Sequence, residues 1–367
     1  MRLRRLLFLV AFLLVVTGGG SCTRKRSSTV SPMDSPIPAE TAFSSPLVNP
    51  FPDVDELILF ISFRDGYPNI YAVPPEGAGA FRVLEIPQSL RIVGHLDWST
   101  TGKRLALALA QGDRNDIYTA DLATSALHNL TAGTPSGGVE PRWSPDGTHL
   151  VYVCGDYEPD ICVIGADGSG HVQLTSYPSR DINPSWSPDG SAIVYQTSRD
   201  GLADIYILNL DDLTEKDLTQ GVSQNARPSW SPDGKAILFQ SDRDGSMDIF
   251  TISPKGTQIT NLTRNDALDV DPQWSPDGSL IAFRSDRNGA WDLFVMKRDG
   301  SAPINLTAGW GPVFTYTWSP DGQCLAFVST YEGNSDIYKV NINSGEIVQL
   351  TQHPAEDMAP LWISLME

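Results

Sequence analysis

From about residue 53 onward the chain alternates short apolar runs with polar, glycine-rich breaks. Runs such as "ELILFIS", "LIAFRS" and "CLAFVS" are almost continuous in apolar residues instead of alternating strictly with polar ones. That pattern suits strands buried on both faces. Each run leads into a polar loop, typically "RDG", and then into a second short run opening "DIY" or "DIF". A Gly or Asp turn and a strand ending "LT" follow, and a strand ending in Trp-Ser precedes the whole unit. Turn signals recur roughly every 8–12 residues, so each unit predicts four short strands and essentially no helix.

The unit repeats. Trp98, Trp143, Trp186, Trp230, Trp274, Trp318 and Trp362 are separated by 45, 43, 44, 44, 44 and 44 residues. Four strands in such a period predict the blade of a β-propeller. Third strands open at Asn69, Asp116, Asp160, Asp204, Asp248, Asp292 and Asp336, giving seven units to match seven tryptophans, but in an offset register. The first unit, "ELILFISFRDGYPNIYAV", has no tryptophan before it, and the last tryptophan, in "APLWISLME", has no strands after it. The expectation is therefore an all-β chain with a single β-propeller of seven four-stranded blades over residues 53–367, six being the alternative. The C-terminal strand would pair into the first blade and close the ring, removing the edge an open sheet would present.

Between the first and second strands stands "WSPDG" in five units, worn to "WSTTG" at Trp98. Pro presets φ, Asp accepts local backbone hydrogen bonds and Gly takes the positive-φ position, so the phrase reads as a hairpin turn. An active site is one asymmetric constellation, and five copies argue for structure.

Composition adds the compartment. Residues 1–22 combine a basic start ("MRLRR"), an eleven-residue apolar run and a small-residue exit ending at Cys22. The run is too short to span a bilayer comfortably and reads as an export signal. Removing residues 1–21, which hold three arginines and no acid, takes the net charge from -18 to -21. So acidic a chain is not expected to bind nucleic acid, or an anionic membrane except through an anchor. Residues 23–52, rich in Ser, Thr and Pro without apolar period, predict a flexible tether. Cys154 and Cys162 flank one hairpin loop, where a cross-strand disulfide and two free thiols both remain open; Cys324, in a strand pattern, is expected to be a buried thiol.

The repeated pattern P-x-W-S-P-D-G-x-x-I-x-F-x-S-x-R-D-G-x-x-D-I-Y…L-T resembles the WD40-like (PD40) repeats of TolB-like propellers. Similar repeats occur in the propellers of prolyl-oligopeptidase-type peptidases and oligogalacturonate lyases. The small residues before Cys22 resemble a bacterial lipoprotein signal, although Gly19 stands where that family usually has Leu. The resemblance implies lipidation at Cys22, a periplasmic or cell-exterior location and non-enzymatic binding of protein or peptide partners at the cell envelope. Two departures separate this chain from TolB itself, which carries an α/β domain ahead of a six-bladed propeller. The peptidases bear their catalytic serine on a separate domain, and no G-x-S-x-G occurs here. The lyases hold a metal largely through histidines, whereas His95, His128, His149, His171 and His353 fall at different positions of different units.

The binding face is expected where the loops before each tryptophan share a channel mouth with the Arg-Asp-Gly loops. Its candidate residues are Asp181, Asn225, Asp269 and Asp357, five positions before a tryptophan, with Arg199, Arg243 and Arg287. Pairing of those acids with those arginines is the competing reading. Trp310, Phe314 and Tyr316 replace a polar loop in one irregular unit and complete the set, as contact residues or as packing. The expectation is a monomer with no catalytic residues, metal ligands or cofactor. A carbohydrate-active enzyme of the lyase type, and a scaffold stabilised by calcium at loops such as "SDRDGSMD" (from Ser241), remain as alternatives.

Overall fold

The computed structural model describes residues 54–366 apart from Asp156. The expected export signal (1–22), lipidation at Cys22 and tether (23–52) lie outside the described residues. The described chain forms seven four-stranded antiparallel sheets arranged in sequence order, without a helix among them. In each blade the strands pair in the order first, second, third, fourth, and the first strands of neighbouring blades pack on one another around the axis. These first strands carry the recurring tryptophans at or near their ends: Arg91–Ser99, Gly138–Trp143, Asp181–Trp186, Asn225–Trp230, Asp269–Trp274, Val313–Trp318 and Asp357–Ser364.

Seven blades, not six, close the ring, and the closure is the one the offset register demands. The C-terminal strand Asp357–Ser364 pairs antiparallel with Glu56–Ser62, matching Trp362 to Ile58 and Asp357 to Ser62. Trp362 Nε1 donates to Glu56 Oε2 at 2.7 Å, and Trp98 of the second blade donates to the Ser364 carbonyl at 3.2 Å.

Continuous apolar runs are explained by burial on both faces. Ile193, Val194 and Tyr195, consecutive in one second strand, are all 0% exposed. Odd and even side chains each meet a neighbouring blade. Full burial of one such residue stabilises by about 1.5–3 kcal/mol, so a run of three supplies a substantial part of a blade's cohesion. Within a blade, rings on the paired second and third strands stack: Phe239 on Phe250 at 5.7 Å and Phe283 on Phe294 at 5.5 Å.

The Ser-Pro-Asp-Gly turns are built as their chemistry requires. In the turn after Trp186, Ser187 Oγ donates to Asp189 Oδ1 at 2.6 Å and Gly190 N–H to the Ser187 carbonyl at 2.9 Å, with Gly190 at φ 73°. The Ser187 hydroxyl and the Ser191 backbone and side chain hold the Asp189 carboxyl at about 2. Cys154 and Cys162 form a disulfide across neighbouring strands, their Cα atoms 5.9 Å apart. Cys324 is half-buried, less enclosed than its strand pattern suggested, because its strand opens at the blade rim.

Candidate binding face and central channel

Loops joining the second and third strands share one face with the crossovers that lead into each first strand. Backbone bonds tie them together: Ser198 N–H donates to the Arg180 carbonyl at 3.2 Å and Asp242 N–H to the Gln224 carbonyl at 3.3 Å. On this face the predicted residues occupy one repeated arrangement. Asp181, Asn225, Asp269 and Asp357 are each 0% exposed. Arg287 Nη2 meets Asp269 at 2.9 and 3.0 Å, Arg64 meets Asp357 at 2.8 Å, Arg243 donates to Asn225 Oδ1 at 2.8 Å, and Arg199 reaches Asp181 at 3.5 Å.

Each arginine is fixed twice more. Its Nε donates to a strand-end hydroxyl, as Arg287 does to Ser285 at 2.9 Å, and its guanidinium covers the aromatic ring of the next strand, as Arg287 covers Phe294 at 4.5 Å. Arg199 keeps both contacts, to Thr197 Oγ1 at 3.3 Å and over Tyr206 at 4.5 Å, but its main acidic partner is Glu215 at 2.6 Å, and it lies 3.9 Å from the ring centroid of Tyr177. The predicted acids and arginines are thus brought together, as mutual partners beneath the loops.

The three predicted aromatics are separated. Tyr316 is buried, its hydroxyl donating to the Ala282 carbonyl at 3.0 Å and contacting the Asp271 carbonyl. Trp310 is half-buried, 4.6 Å from the Tyr331 ring and edge-on to Tyr338. Phe314 is 41% exposed. It belongs to a wider set: Phe63, Tyr157, Tyr177, Phe314 and Tyr331 are the large aromatics exposed among the described residues, and all five lie on this face.

Below the mouth, each first strand breaks register with its neighbour, as between Ile182 and Ser185, Ala226 and Ser229, and Val270 and Gln273. The residue three before the tryptophan sits in that bulge, often left-handed: Glu140, Asn183, Arg227, Asp271 and Ala359 have φ between 52° and 55°. Such bulges re-aim side chains. Together with His95 and Thr315, these positions form one tier of first-strand residues whose identity changes from blade to blade.

Most polar groups of this tier bond across a blade boundary. Arg227 meets Asp271 at 2.7 Å, Arg284 also grips Asp271, and Gln240 accepts the Asp271 N–H at 2.8 Å. Asp97 faces Arg142 at 3.7 Å and accepts the Trp143 N–H at 2.7 Å; Glu140 accepts the Asn183 N–H at 3.0 Å. Burial would raise the Asp271 carboxyl, but Arg227 and Arg284 outweigh it and hold it below the usual range. Asp97 has only Arg142 nearby, and there burial prevails and lifts the carboxyl. Enclosure in the channel, then Arg142 and Arg227, depress the His95 imidazole to about 4. His95, from the second blade, thereby feels groups on the third, fifth and sixth.

This tier is absent from the sequence prediction. Its signal was available, since the residue three before each tryptophan varies while the next is proline in five of the seven units. The remaining histidines are elsewhere: His128 on a fourth strand, His149 opening a second strand, His171 and His353 in loops. A shallow groove of about 610 Å³ opens between the third and fourth blades on the opposite face, lined by Pro145, His149, Trp186 and Pro188.

Comparison with known proteins follows the same lines. Residues 156–260 match the family model described as the TolB beta propeller domain, PD40. The Tol-Pal system protein TolB of Syntrophus aciditrophicus (strain SB) is 33% identical over 78 residues, 20% of this chain and 17% of that protein. Among solved structures, TolB from Acinetobacter baumannii superposes with a TM-score of 0.55 at 20% identity, covering 80% of this chain and 78% of that one. An oligogalacturonate lyase in complex with manganese gives 0.63 at 15% identity (82% and 86%). A puromycin-hydrolyzing peptidase of Mycobacterium tuberculosis gives 0.65 at 14% (81% and 52%). At these identities the structural likenesses establish the fold alone. The chain is thus a seven-bladed β-propeller in which residues 156–260 match the TolB-type PD40 repeat.

Proposed function

We propose that this chain is an exported, lipid-anchored, non-enzymatic propeller that binds a protein or peptide partner at the cell envelope, through the face carrying the aromatic rim. One observation carries the reading: all five large aromatics exposed among the described residues gather on that face. Exposed aromatics clustered on one rim supply the anchors typical of protein interfaces. Beneath them the buried Asp and Arg side chains are already paired, which gives the loops a rigid base instead of a free acid or base. His95 contributes one imidazole to the channel, where a metal-dependent lyase would need a convergent set of ligands. The comparison with TolB supports the envelope role. The apolar N-terminal run and Cys22 support export and anchoring, with the chain facing the periplasm or cell exterior as a monomer.

The test is capture from native envelopes with the anchored protein and with a Tyr157→Ala/Tyr331→Ala variant. The expected result is one or a few proteins retained by the native chain and lost from the variant, at unchanged melting temperature. Retention of no protein, together with turnover of an acidic oligosaccharide, would overturn the reading in favour of the lyase-type enzyme.

A further inference from the structure

In five blades the third strand opens with an aspartate, buried in four and half-buried at Asp160, whose outer oxygen is met by an amide from the fourth strand. Asn261 Nδ2 donates to Asp248 Oδ2 at 2.9 Å, Asn305 to Asp292 at 2.7 Å and Gln173 to Asp160 at 2.7 Å; Asn129 and Gln349 do the same for Asp116 and Asp336. The first blade avoids the need, because its third strand opens with the neutral Asn69. In the fourth blade the amide is replaced by an acid, Asp217, two residues before Thr219 as each amide is two before its own threonine.

The consequence is visible at Asp204. Its Oδ1 accepts from Thr219 Oγ1 at 2.8 Å and Gly221 N–H at 2.9 Å, as in the sister blades, but its Oδ2 is buried and accepts no hydrogen bond among the described residues. Asp204 is 1% exposed. An unpaired buried carboxylate oxygen is costly. Two further carboxylates converge on it: Asp200, Asp204 and Asp217 each offer an oxygen within 4.8 Å of the others. Two oxygens that each lie about 2.4 Å from one calcium ion are at most about 4.8 Å apart. Asp200 is pinned by the Tyr206 hydroxyl at 2.7 Å, and Asp217 by the backbone N–H groups of Thr219 and Gln220, both at 2.8 Å. In the fifth blade the corresponding space holds the Asn261 amide, which bridges Asp244 at 2.7 Å and Asp248.

We propose that the fourth blade binds a hard divalent cation of the calcium class between Asp200, Asp204 and Asp217, in the place the amide nitrogen takes in the sister blades. Asp200 is exposed, so water completes the coordination shell on the solvent side. Three carboxylates and an open side suit the weak affinities of extracellular modules, about 10⁻⁴–10⁻³ M. The cation would tie the loop between the second and third strands to the fourth strand, beneath Leu202 and Val222 on the rim.

The experiment uses the purified mature protein freed of metal with EGTA. Terbium luminescence excited through tyrosine should appear on the native chain and be displaced by calcium. Saturating calcium should raise the melting midpoint by about 4 °C, with magnesium much less effective. Asp217→Asn restores the sister-blade amide. It should abolish the calcium response, and its metal-free form should melt above the metal-free native chain. Asp200→Asn, which leaves the buried pair in place, should weaken calcium at least about tenfold by removing one of three charged ligands. A native chain indifferent to calcium and terbium overturns the proposal, as does a calcium response that survives in both variants. A metal-free native chain that gains stability steeply on acidification, without any calcium response, would assign the gap to a shared proton instead.

Discussion

Two arginines on the channel-mouth face differ in one respect that mutation can isolate. Arg287 and Arg243 both reach back to a serine (2.9 Å to Ser285, 3.0 Å to Ser241) and both cover a phenylalanine (4.5 Å to Phe294, 5.0 Å to Phe250). Arg287, however, meets the carboxylate of Asp269, and Arg243 meets the amide oxygen of Asn225, each partner being 0% exposed. Replacing either arginine by Met keeps the stem on the ring and removes the guanidinium. In Arg243→Met a neutral buried acceptor loses one donor and keeps the Ser223 hydroxyl at 3.2 Å, at a cost of about 1 kcal/mol. In Arg287→Met a buried charge loses its counter-ion, at about 3–5 kcal/mol. Asn265 Nδ2 still donates to Asp269 Oδ2 at 2.6 Å, which keeps the cost at the lower end. The expected difference between the variants is therefore about 2 kcal/mol. Urea unfolding followed by tryptophan fluorescence measures it. A second step, Asp269→Asn in the Arg287→Met background, should recover most of the difference by leaving a neutral acceptor, as Arg243→Met does in the fifth blade. Equal losses in the two single variants would refute the reasoning, because the buried charge would then carry no penalty of its own.

Two further outcomes are expected. Replacing both Cys154 and Cys162 by Ser should cost about 2.5 kcal/mol by the loop-entropy relation for so short a loop, read as a lower urea midpoint, with dithiothreitol lowering the native chain alike. His95 titrates at about 4 in the folded chain against 6.5 in the unfolded one, so the unfolded state binds the extra proton. Its contribution is fully present above pH 6.5 and is lost as pH falls toward 4. His95→Gln should flatten the stability profile across that window, and an unchanged slope would place the imidazole in ordinary solvent.

How much of this was legible beforehand depends on whether a feature repeats. Because each blade uses the same local devices, the tryptophan spacing, the Ser-Pro-Asp-Gly turns and the doubly buried strands gave the blade, its four strands and the offset closure at Trp362. The acids five before each tryptophan were located, and their pairing was one of two readings; choosing between them required the distance from Arg287 to Asp269 and the burial of both partners. The Cys154–Cys162 bridge was equally open until the two strands were seen in register. Trp310, Phe314 and Tyr316 looked alike in one unit, yet the strand sends Tyr316 inward and Phe314 outward, a difference of two residues across a bulge.

The sequence by itself determined the repeat, because a 44-residue period of turn chemistry and apolar runs needs only local rules to be read. Tertiary structure alone decided which residues share a space. Asp271 meets Arg227 from 44 residues earlier, His95 feels groups on the far side of the channel, and Asp217 leaves the outer oxygen of Asp204 unpaired where five sister blades supply an amide. The first two contacts arise because ring closure brings one position from every repeat onto a common tier, and no local pattern encodes what its neighbours on that tier will be; the third needs the fourth strand folded back beside the third.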